Sequence, residues 1–412
     1  MSNNKIVKNA AALYIMNIAK MILPLITLPY LTRVLSKDCY GIVSYVKATM
    51  QYMQLIIDFG FILSGTKDIV KARDNKELLS TEIGNIFGAK VLLGIISGFI
   101  LLVSTIFIPI LRENFLFTLL SFLAVFLTCF LFDYLFRGLE EMQGITIRFV
   151  VMKLISTALT FVFVSSDKDL LFIPILDIIG TIVAIGLVLF DLKKRRLSMK
   201  ITSFTAVIAK IKESAIYFAS DIATTAFGAL NTLLIGIYIT EAEVADWSLC
   251  MQLVVAVQSM YSPLANSIYP EMVKSRNFGI VKKTLKIFLP IIAAGCIFTL
   301  FIAKYALLIV GGEQYIGATL LLRSLVPVMF FGFLSMLFGW PTLGSIGKTK
   351  ETTKTTVVTA VVQIVGLVIL LFTNQFNLIN IALLRGGTEM LLFVSRYSYY
   401  RKFKNEFSII NS

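Results

Sequence analysis

Polar side chains recur every three or four residues along the apolar stretch from Tyr40 to Ser64. They are Ser44, Lys47, Gln51, Gln54 and Asp58. Residues three and four apart share one face of an α-helix, so this spacing predicts a single polar stripe. Because a charged side chain at the centre of a bilayer costs roughly 2.5–3.5 kcal/mol or more, the stripe should face a wet interior lined by protein. The glutamines could contact sugar hydroxyls there or bond to a neighbouring helix.

Other apolar stretches also carry isolated cations. Lys20 follows Asn17 in the first stretch, and Lys90 lies in the third. Lys20, Lys47 and Lys90 have no acidic residue three or four positions away, so each needs a partner on another helix or a bound anion. For Lys90, a carboxylate on a neighbouring helix is the alternative to an anionic ligand.

Acidic residues in the apolar stretches allow two interpretations. Asp58 in the second stretch and Asp221 in the seventh are candidates for ion or proton coupling, because membrane-embedded acids mark ion pathways. Two pairs of opposite charge lie one helical turn apart, namely Asp133 with Arg137 and Arg385 with Glu389. Such pairs neutralise one another without a ligand, so these two are predicted to be structural.

The composition is that of a polytopic membrane protein. The chain has 412 residues, 57% of them hydrophobic, and a mean hydropathy of +0.85. These values are too apolar for a soluble fold, and the length leaves room for many spans. A net charge of +14 would suggest nucleic-acid binding in a soluble chain. Here the basic residues cluster in alternate loops, which is a membrane topology signal and argues against nucleic acid.

Several kinds of chemistry find no support in the residues present. The chain has no histidine, which excludes a histidine-based triad and a histidine-ligated metal. Its four cysteines lie far apart without a CxxC pair, so neither a metal site nor a disulfide framework is predicted. We therefore expect no catalytic residue, no metal and no cofactor.

About twelve apolar stretches are long enough to cross a membrane as helices. They cover residues 10–31, 40–64, 83–111, 115–136, 145–164, 170–192, 215–239, 244–269, 284–305, 320–343, 355–372 and 378–400. The tenth is interrupted by Pro327, Gly339, Pro341 and Gly344. The predicted fold class is therefore an all-α polytopic membrane protein.

The loops predict the topology and the domain organisation. Basic residues cluster before the first stretch, after the second, sixth, eighth and tenth, and at the C-terminus, which places both termini in the cytoplasm. The longest basic gap predicts an N-terminal six-helix lobe of residues 1–192, a basic cytoplasmic linker of residues 193–212 that anchors on anionic lipid, and a C-terminal six-helix lobe of residues 213–412. Aligning Ser44 with Ser248 also aligns Gln54 with Gln258, as in the parallel repeats of several transporters.

Three segments resemble a known transporter family. The segment from Pro24 to Tyr45, PLITLPYLTRVLSKDCYGIVSY, is similar to the opening of the polysaccharide-biosynthesis transporters. These are the Wzx-type flippases of the multidrug/oligosaccharidyl-lipid/polysaccharide (MOP) superfamily. The segment FDYLFRGLE from Phe132 to Glu140 and the passage from Gly339 to Lys350 resemble the same family. Through helix count and loop pattern, the resemblance covers nearly the whole chain.

The resemblance implies a fold, a substrate and a set of site residues. The fold would be two pseudo-symmetric six-helix lobes around a central cavity. The protein would be a transporter, not an enzyme, in the bacterial cytoplasmic (inner) membrane. By alternating access it would flip an undecaprenyl-pyrophosphate-linked oligosaccharide repeat unit to the periplasmic leaflet, for synthesis of O-antigen, capsule or exopolysaccharide. Its partners would be that lipid-linked oligosaccharide, the bilayer and polysaccharide assembly proteins. The expected diphosphate ligands are Lys20 and Lys47, with Lys90 as a further candidate, and the expected sugar ligands are Asn17, Gln51 and Gln54.

Two other functions stay open at this point. A multidrug or cation antiporter of the same superfamily would need an interior dominated by acids, whereas three lone lysines lie beside the acids here. A membrane polysaccharide polymerase or ligase would need a sizeable outward loop to carry catalytic groups, and the predicted outward loops are short. The flippase is the function that the lysines favour.

Overall fold

The chain folds into helices throughout the part that the structure describes. The structure is a computed structural model that describes the backbone of residues 3–407 and the side chains of residues 8, 9, 11–218, 222 and 229–407. The helices of the first half are α1 Asn3–Val34, α2 Lys37–Asp58, α3 Phe61–Ala72, α4 Lys76–Phe107, α5 Pro109–Glu113, α6 Phe115–Leu127, α7 Asp133–Gly138, α8 Met142–Phe163, α9 Phe172–Arg195 and α10 Phe204–Tyr238. Those of the second half are α11 Glu241–Ser259, α12 Tyr261–Ser275, α13 Phe278–Gly311, α14 Thr319–Ser324, α15 Val326–Leu337, α16 Thr349–Phe372 and α17 Leu378–Lys402.

The predicted all-α membrane fold is confirmed. Ten helical segments of the described chain are long and apolar enough to cross a membrane. The segment formed by α2 and α3 is not among them, and α10 contributes only the shorter apolar stretch Ala229–Tyr238. Each of the twelve predicted stretches nevertheless contains helix, and most helices extend beyond the apolar run at one end.

The stretch from Tyr40 to Ser64 is not one helix, which corrects the sequence-based prediction. Phe59 and Gly60 both adopt left-handed backbone conformations, with φ of 39° and 75°, and separate α2 from α3. A Cβ at Gly60 would also press on the Tyr217 side chain of α10, so glycine serves both the turn and the close approach. The polar stripe therefore ends at Asp58, the last residue of α2.

Two more predicted spans are broken, and in each case a buried arginine binds a main-chain carbonyl at the break. The fourth span contains a 3₁₀ turn, Thr128–Leu131, before α7, and the Arg148 guanidinium donates to the Leu131 carbonyl at 2.8 Å. The tenth contains a π-helical turn, Phe338–Leu343, and Arg396 donates to the Ser335 carbonyl at 2.6 Å. Within lipid, a carbonyl freed from its helix needs such a partner. The interruption of the tenth span was predicted, and that of the fourth was not.

The chain forms two compact units, Met1–Glu241 and Ala242–Ser412. The core of the first joins α3, α4, α7 and α8 through Ile69, Ile83, Tyr134 and Ile145. The core of the second is an aromatic cluster that includes Tyr261, Phe278, Phe333, Phe338 and Tyr400. Helix α10 packs on α2, α3 and α4 and so belongs to the first unit. The lobe boundaries at residues 192 and 213 stay a prediction.

The linker after α9 lies on the first unit, and its expected anchoring on anionic lipid stays a prediction. The Lys200 amide donates to the Ser80 carbonyl at 3.1 Å, beside Gly84 of α4. Farther along, the Lys210 ammonium lies 2.7 Å from Asp68 and 2.5 Å from Glu82. Burial lowers the pKa of Lys210, but these two carboxylates outweigh burial and raise it above its ordinary value. The linker charges thus hold α3 and α4 to the start of α10.

Candidate functional site

Lys20 and Lys47 line the same cavity. This lysine cavity has a volume of about 190 Å³ and lies between α1, α2, α8 and α9 of the first unit. Lys20 comes from α1 and Lys47 from α2, and each side chain is exposed despite its position in an apolar helix. The structure therefore brings together the two lysines that the sequence singled out as diphosphate ligands.

A third lysine, Lys153 of α8, also lines the lysine cavity. The single carboxylate of the cavity lining is Asp177 of α9. The Lys153 ammonium lies 3.2 Å from Asp177 Oδ1, and the Ser156 hydroxyl donates to the same oxygen at 2.7 Å. Hydroxyls of Thr27, Thr157 and Thr160 complete the polar side of the lining. Three lysines around one carboxylate leave the cavity positively charged.

Neither Lys20 nor Lys47 has a carboxylate within salt-bridge distance among the described residues. Lys47 makes no hydrogen bond or ion pair with the described part of the chain. The Lys20 ammonium lies 5.2 Å from the centroid of the Phe149 ring, a cation–π contact that leaves its charge available. Ammonium groups at membrane depth that lack a salt-bridged carboxylate can bind an anion.

Lys153 was not predicted as a site residue, although the sequence contains a usable signal for it. Lys153 lies inside an apolar stretch with no acid three or four residues away, which is the pattern that singled out Lys20 and Lys47. Its partner Asp177 comes from another helix, so only the fold shows that the two meet.

A second, smaller cavity adjoins the first. This arginine cavity has a volume of about 60 Å³ and is lined by Lys20, Asp133, Arg137 and Arg148, with Phe149 shared between the two cavities. Arg148 is buried, stacks 4.0 Å over the Phe136 ring and lies 3.4 Å from Asp133. The predicted pair of Asp133 with Arg137 is therefore wrong, because Arg148 of α8 takes the carboxylate. The Nε of Arg137 is buried without a hydrogen-bond partner in the described chain.

Asp58, Gln54 and Lys90 form a separate network. The Lys90 ammonium lies 2.9 Å from Asp58, and the Gln54 amide donates to the other Asp58 oxygen at 2.8 Å. Thr128 donates to the Gln54 carbonyl oxygen at 3.1 Å. Lys90 thus has the carboxylate of a neighbouring helix as its partner, which was the alternative that the sequence left open. These three side chains do not line the lysine cavity.

The remaining predicted residues fall into three groups. Asn17 and Gln51 are exposed on α1 and α2 but are not part of the lysine-cavity lining. The Asp221 side chain lies outside the described residues. Arg385 and Glu389 pair at 2.8 Å in the second unit, as predicted. Among the described residues, no group of histidine, cysteine and acidic side chains is placed to hold a metal ion.

The fold is that of the MOP-superfamily transporters. The structure superposes on the lipid II flippase MurJ in an inward closed conformation with a TM-score of 0.70 and 12% identity, covering 96% of this chain and 87% of MurJ. It also superposes on an inward-facing multidrug resistance MATE family transporter with a TM-score of 0.64 and 13% identity, covering 93% and 99% of the two chains. At such low identities the likeness shows the fold alone.

Residues 6–276 match the family model described as "Polysaccharide biosynthesis protein", and the chain belongs to that family. A curated relative from Escherichia coli (strain K12), named "Putative O-antigen transporter", is 24% identical over 352 residues, which are 82% of this chain and 84% of the relative. These findings confirm the resemblance seen in the sequence and the prediction of a membrane transporter, not an enzyme. They also support a multi-pass protein of the inner membrane.

Proposed function

We propose that this protein flips an undecaprenyl-pyrophosphate-linked oligosaccharide from the cytoplasmic to the periplasmic leaflet, for the synthesis of a surface polysaccharide. The observation that carries the proposal is the lysine cavity, where Lys20 and Lys47 face one space without a bonded carboxylate. The family and the O-antigen transporter relative support a polysaccharide precursor as the substrate.

The charge of the substrate head group explains why the cavity is built with lysines. A diphosphate is strongly rejected by hydrocarbon, and ammonium groups fixed in a low-dielectric cavity offset that cost. Each charge-assisted contact to phosphate contributes about 1.5–3 kcal/mol. Lys20 and Lys47 are proposed to bind the diphosphate, and Lys153 is proposed to orient it beside Asp177.

The sugars and the lipid tail need different surroundings. Asn17 and Gln51 are exposed on the same helices as the two lysines and are proposed as sugar contacts. Gln54 and Lys90 are bonded to Asp58 and are proposed to support α2 instead of touching the substrate. The polyprenyl tail would stay in lipid while the two lobes open alternately to the two sides, with both termini in the cytoplasm.

A cation antiporter fits the lysine cavity poorly. Three lysines around one carboxylate repel a cationic drug, whereas they attract a phosphate. The likeness to a multidrug transporter concerns the fold, which is shared by proteins with different substrates.

The proposal is tested by Lys47→Ala in the producing strain. Losing one charge-assisted contact of about 1.5–3 kcal/mol should reduce transport roughly tenfold to a hundredfold, so surface polysaccharide falls to a small fraction of the wild-type amount. Lys304→Ala is the matched control, since Lys304 is an exposed lysine of α13 that does not line the cavity. Normal surface polymer in Lys47→Ala, with the variant inserted in the membrane, would refute the role of Lys47.

A further inference from the structure

The two cavities share one arrangement of paired charges. In the arginine cavity, Asp133 lies 3.4 Å from Arg148, and in the lysine cavity Asp177 lies 3.2 Å from Lys153. Arg148 and Lys153 are the cations within salt-bridge distance of these carboxylates, which also interact at longer range with Arg137 and Lys47, respectively. The arginine Arg148 is further fixed by its hydrogen bonds to two main-chain carbonyls, so it supports the cavity wall.

The other cations of both cavities are left without such a partner. Arg137 of the arginine cavity and Lys47 of the lysine cavity make no hydrogen bond or ion pair to a carboxylate within the described chain. Lys20 lines both cavities and contacts the Phe149 ring that lies between them. Each cavity therefore has two cations without a salt-bridged carboxylate, and Lys20 is common to both.

The cavities lie one after the other along the helices. On α1 the arginine cavity uses Met16 and Lys20, whereas the lysine cavity uses residues from Ala19 to Leu31. At 1.5 Å per residue, the centres of these two sets are about 10 Å apart along α1. The same order is seen on α8, where Ile145 lines the arginine cavity and Thr160 lines the lysine cavity. On α9, Ala184 lines the arginine cavity and Ile173 lines the lysine cavity. The arginine cavity is the one nearer the start of α1.

We propose that the arginine cavity is a second anion site, which holds a phosphoryl group of the substrate before the lysine cavity does. This inference rests on the proposed function. The arginine cavity has a volume of about 60 Å³, several times the roughly 10–15 Å³ that one water needs, which leaves room for a phosphoryl group. Since the start of α1 is predicted to be cytoplasmic, the substrate head group meets Arg137 first.

Lys20 hands the anion from one site to the other. Its ammonium can complete only one site at a time, so the two sites are filled in turn and a single anion is bound per chain. Arg137 supplies the fork of donors that suits phosphate in the first site, and Lys47 completes the second. With two successive sites, the anion moves only about 10 Å between cationic groups. One site alone would leave it a longer step without a counter-charge.

Binding of inorganic pyrophosphate to the purified full-length chain, measured by calorimetry at fixed ionic strength, tests this inference. Lys47→Ala should weaken binding about tenfold and leave a residual site. Adding Arg137→Gln to Lys47→Ala should weaken the residual binding at least another tenfold, whereas adding Arg137→Lys should retain most of it. In the matched control, Arg73→Gln is added to Lys47→Ala instead, because Arg73 pairs with Glu140 and does not line either cavity.

The outcomes separate this inference from the proposed function. If Lys47→Ala removes all pyrophosphate binding, or if Arg137→Gln acts no more strongly than Arg73→Gln, the second site is refuted while the lysine cavity stands. If Lys47→Ala binds as tightly as wild type, the lysine cavity itself is refuted. Should the double variant fail to fold, Arg137→Gln alone should raise the substrate concentration for half-maximal flipping about fivefold in proteoliposomes. An unchanged value there also overturns the second site.

Discussion

Lys47 and Lys90 are both lysines within apolar helices, yet their surroundings assign them different roles. Lys90 is 5% exposed and lies 2.9 Å from Asp58. Lys47 faces an open cavity and makes no hydrogen bond or ion pair with the described chain. A buried, paired charge supports the fold, whereas an unpaired charge beside a cavity can bind a ligand.

The Asp58–Lys90 pair predicts a stability effect. Asp58→Asn leaves the Lys90 ammonium buried without a carboxylate, which costs about 3–5 kcal/mol for a fully buried pair and less here because Asp58 is 33% exposed. The melting temperature of the purified variant should fall, and adding Lys90→Met should restore most of it. If Asp58→Asn melts like wild type but transports no substrate, Asp58 acts in coupling and not in support.

Replacing Asp177 should raise the affinity for pyrophosphate, whereas Lys47→Ala should lower it. Asp177→Asn removes the single carboxylate of the lysine cavity and frees Lys153, so pyrophosphate should bind roughly threefold to tenfold more tightly. Asp191→Asn is the control, since Asp191 is a carboxylate of the same helix that pairs with Arg195 away from the cavity. Weaker binding in Asp177→Asn, measured by calorimetry, would contradict this charge balance.

At the residue scale, the sequence identified cations but not their partners. Lys20 and Lys47 were recognisable because no acid lies one turn away, and Lys153 satisfies the same rule. The partner of Asp133 could not be predicted in the same way. Spacing along one helix favoured Arg137, but Arg148 approaches from α8, and a contact between helices leaves no trace in local spacing.

At the scale of helices, the breaks determine where the polar groups lie. The left-handed Phe59 and Gly60 end α2 directly after Asp58, and the 3₁₀ turn Thr128–Leu131 places its threonine beside Gln54. Only the break in the tenth span had a strong signal, from Pro341 and its neighbouring glycines. A non-glycine residue with positive φ, such as Phe59, depends on tertiary packing, so local sequence does not predict it.

The close contact of Gly84 with the linker predicts a loss of stability when a side chain is added there. A Cβ at Gly84 would collide with the main chain of Lys200, which leaves the linker no room against α4. Gly84→Ala should therefore destabilise the protein by about 1–3 kcal/mol through overpacking, seen as a lower melting temperature. Gly186→Ala in α9 is the matched control, because no atom lies within 4 Å of its added Cβ. Equal melting of the two variants would show that the linker is not held at Gly84.

At the scale of the whole molecule, the membrane class and the family were predictable, whereas the contacts between distant helices were not. Apolar length and charge bias are local properties, so twelve stretches and the membrane class could be identified from the sequence. The packing of α10 on α2, α3 and α4 depends on contacts between distant segments. The contacts divide the chain after α10, and the lobe boundaries expected at residues 192 and 213 stay a prediction.

The central claim is that this protein moves a lipid-linked oligosaccharide across the membrane. It is tested most directly by the leaflet on which that oligosaccharide accumulates when the gene is deleted. Membrane vesicles of defined orientation from the deletion strain would be probed with a reagent that cannot cross the bilayer and labels glycans. We expect accumulation in the cytoplasmic leaflet, relieved by the wild-type gene and not by Lys47→Ala. Accumulation in the periplasmic leaflet would contradict it, because the block would then lie after flipping.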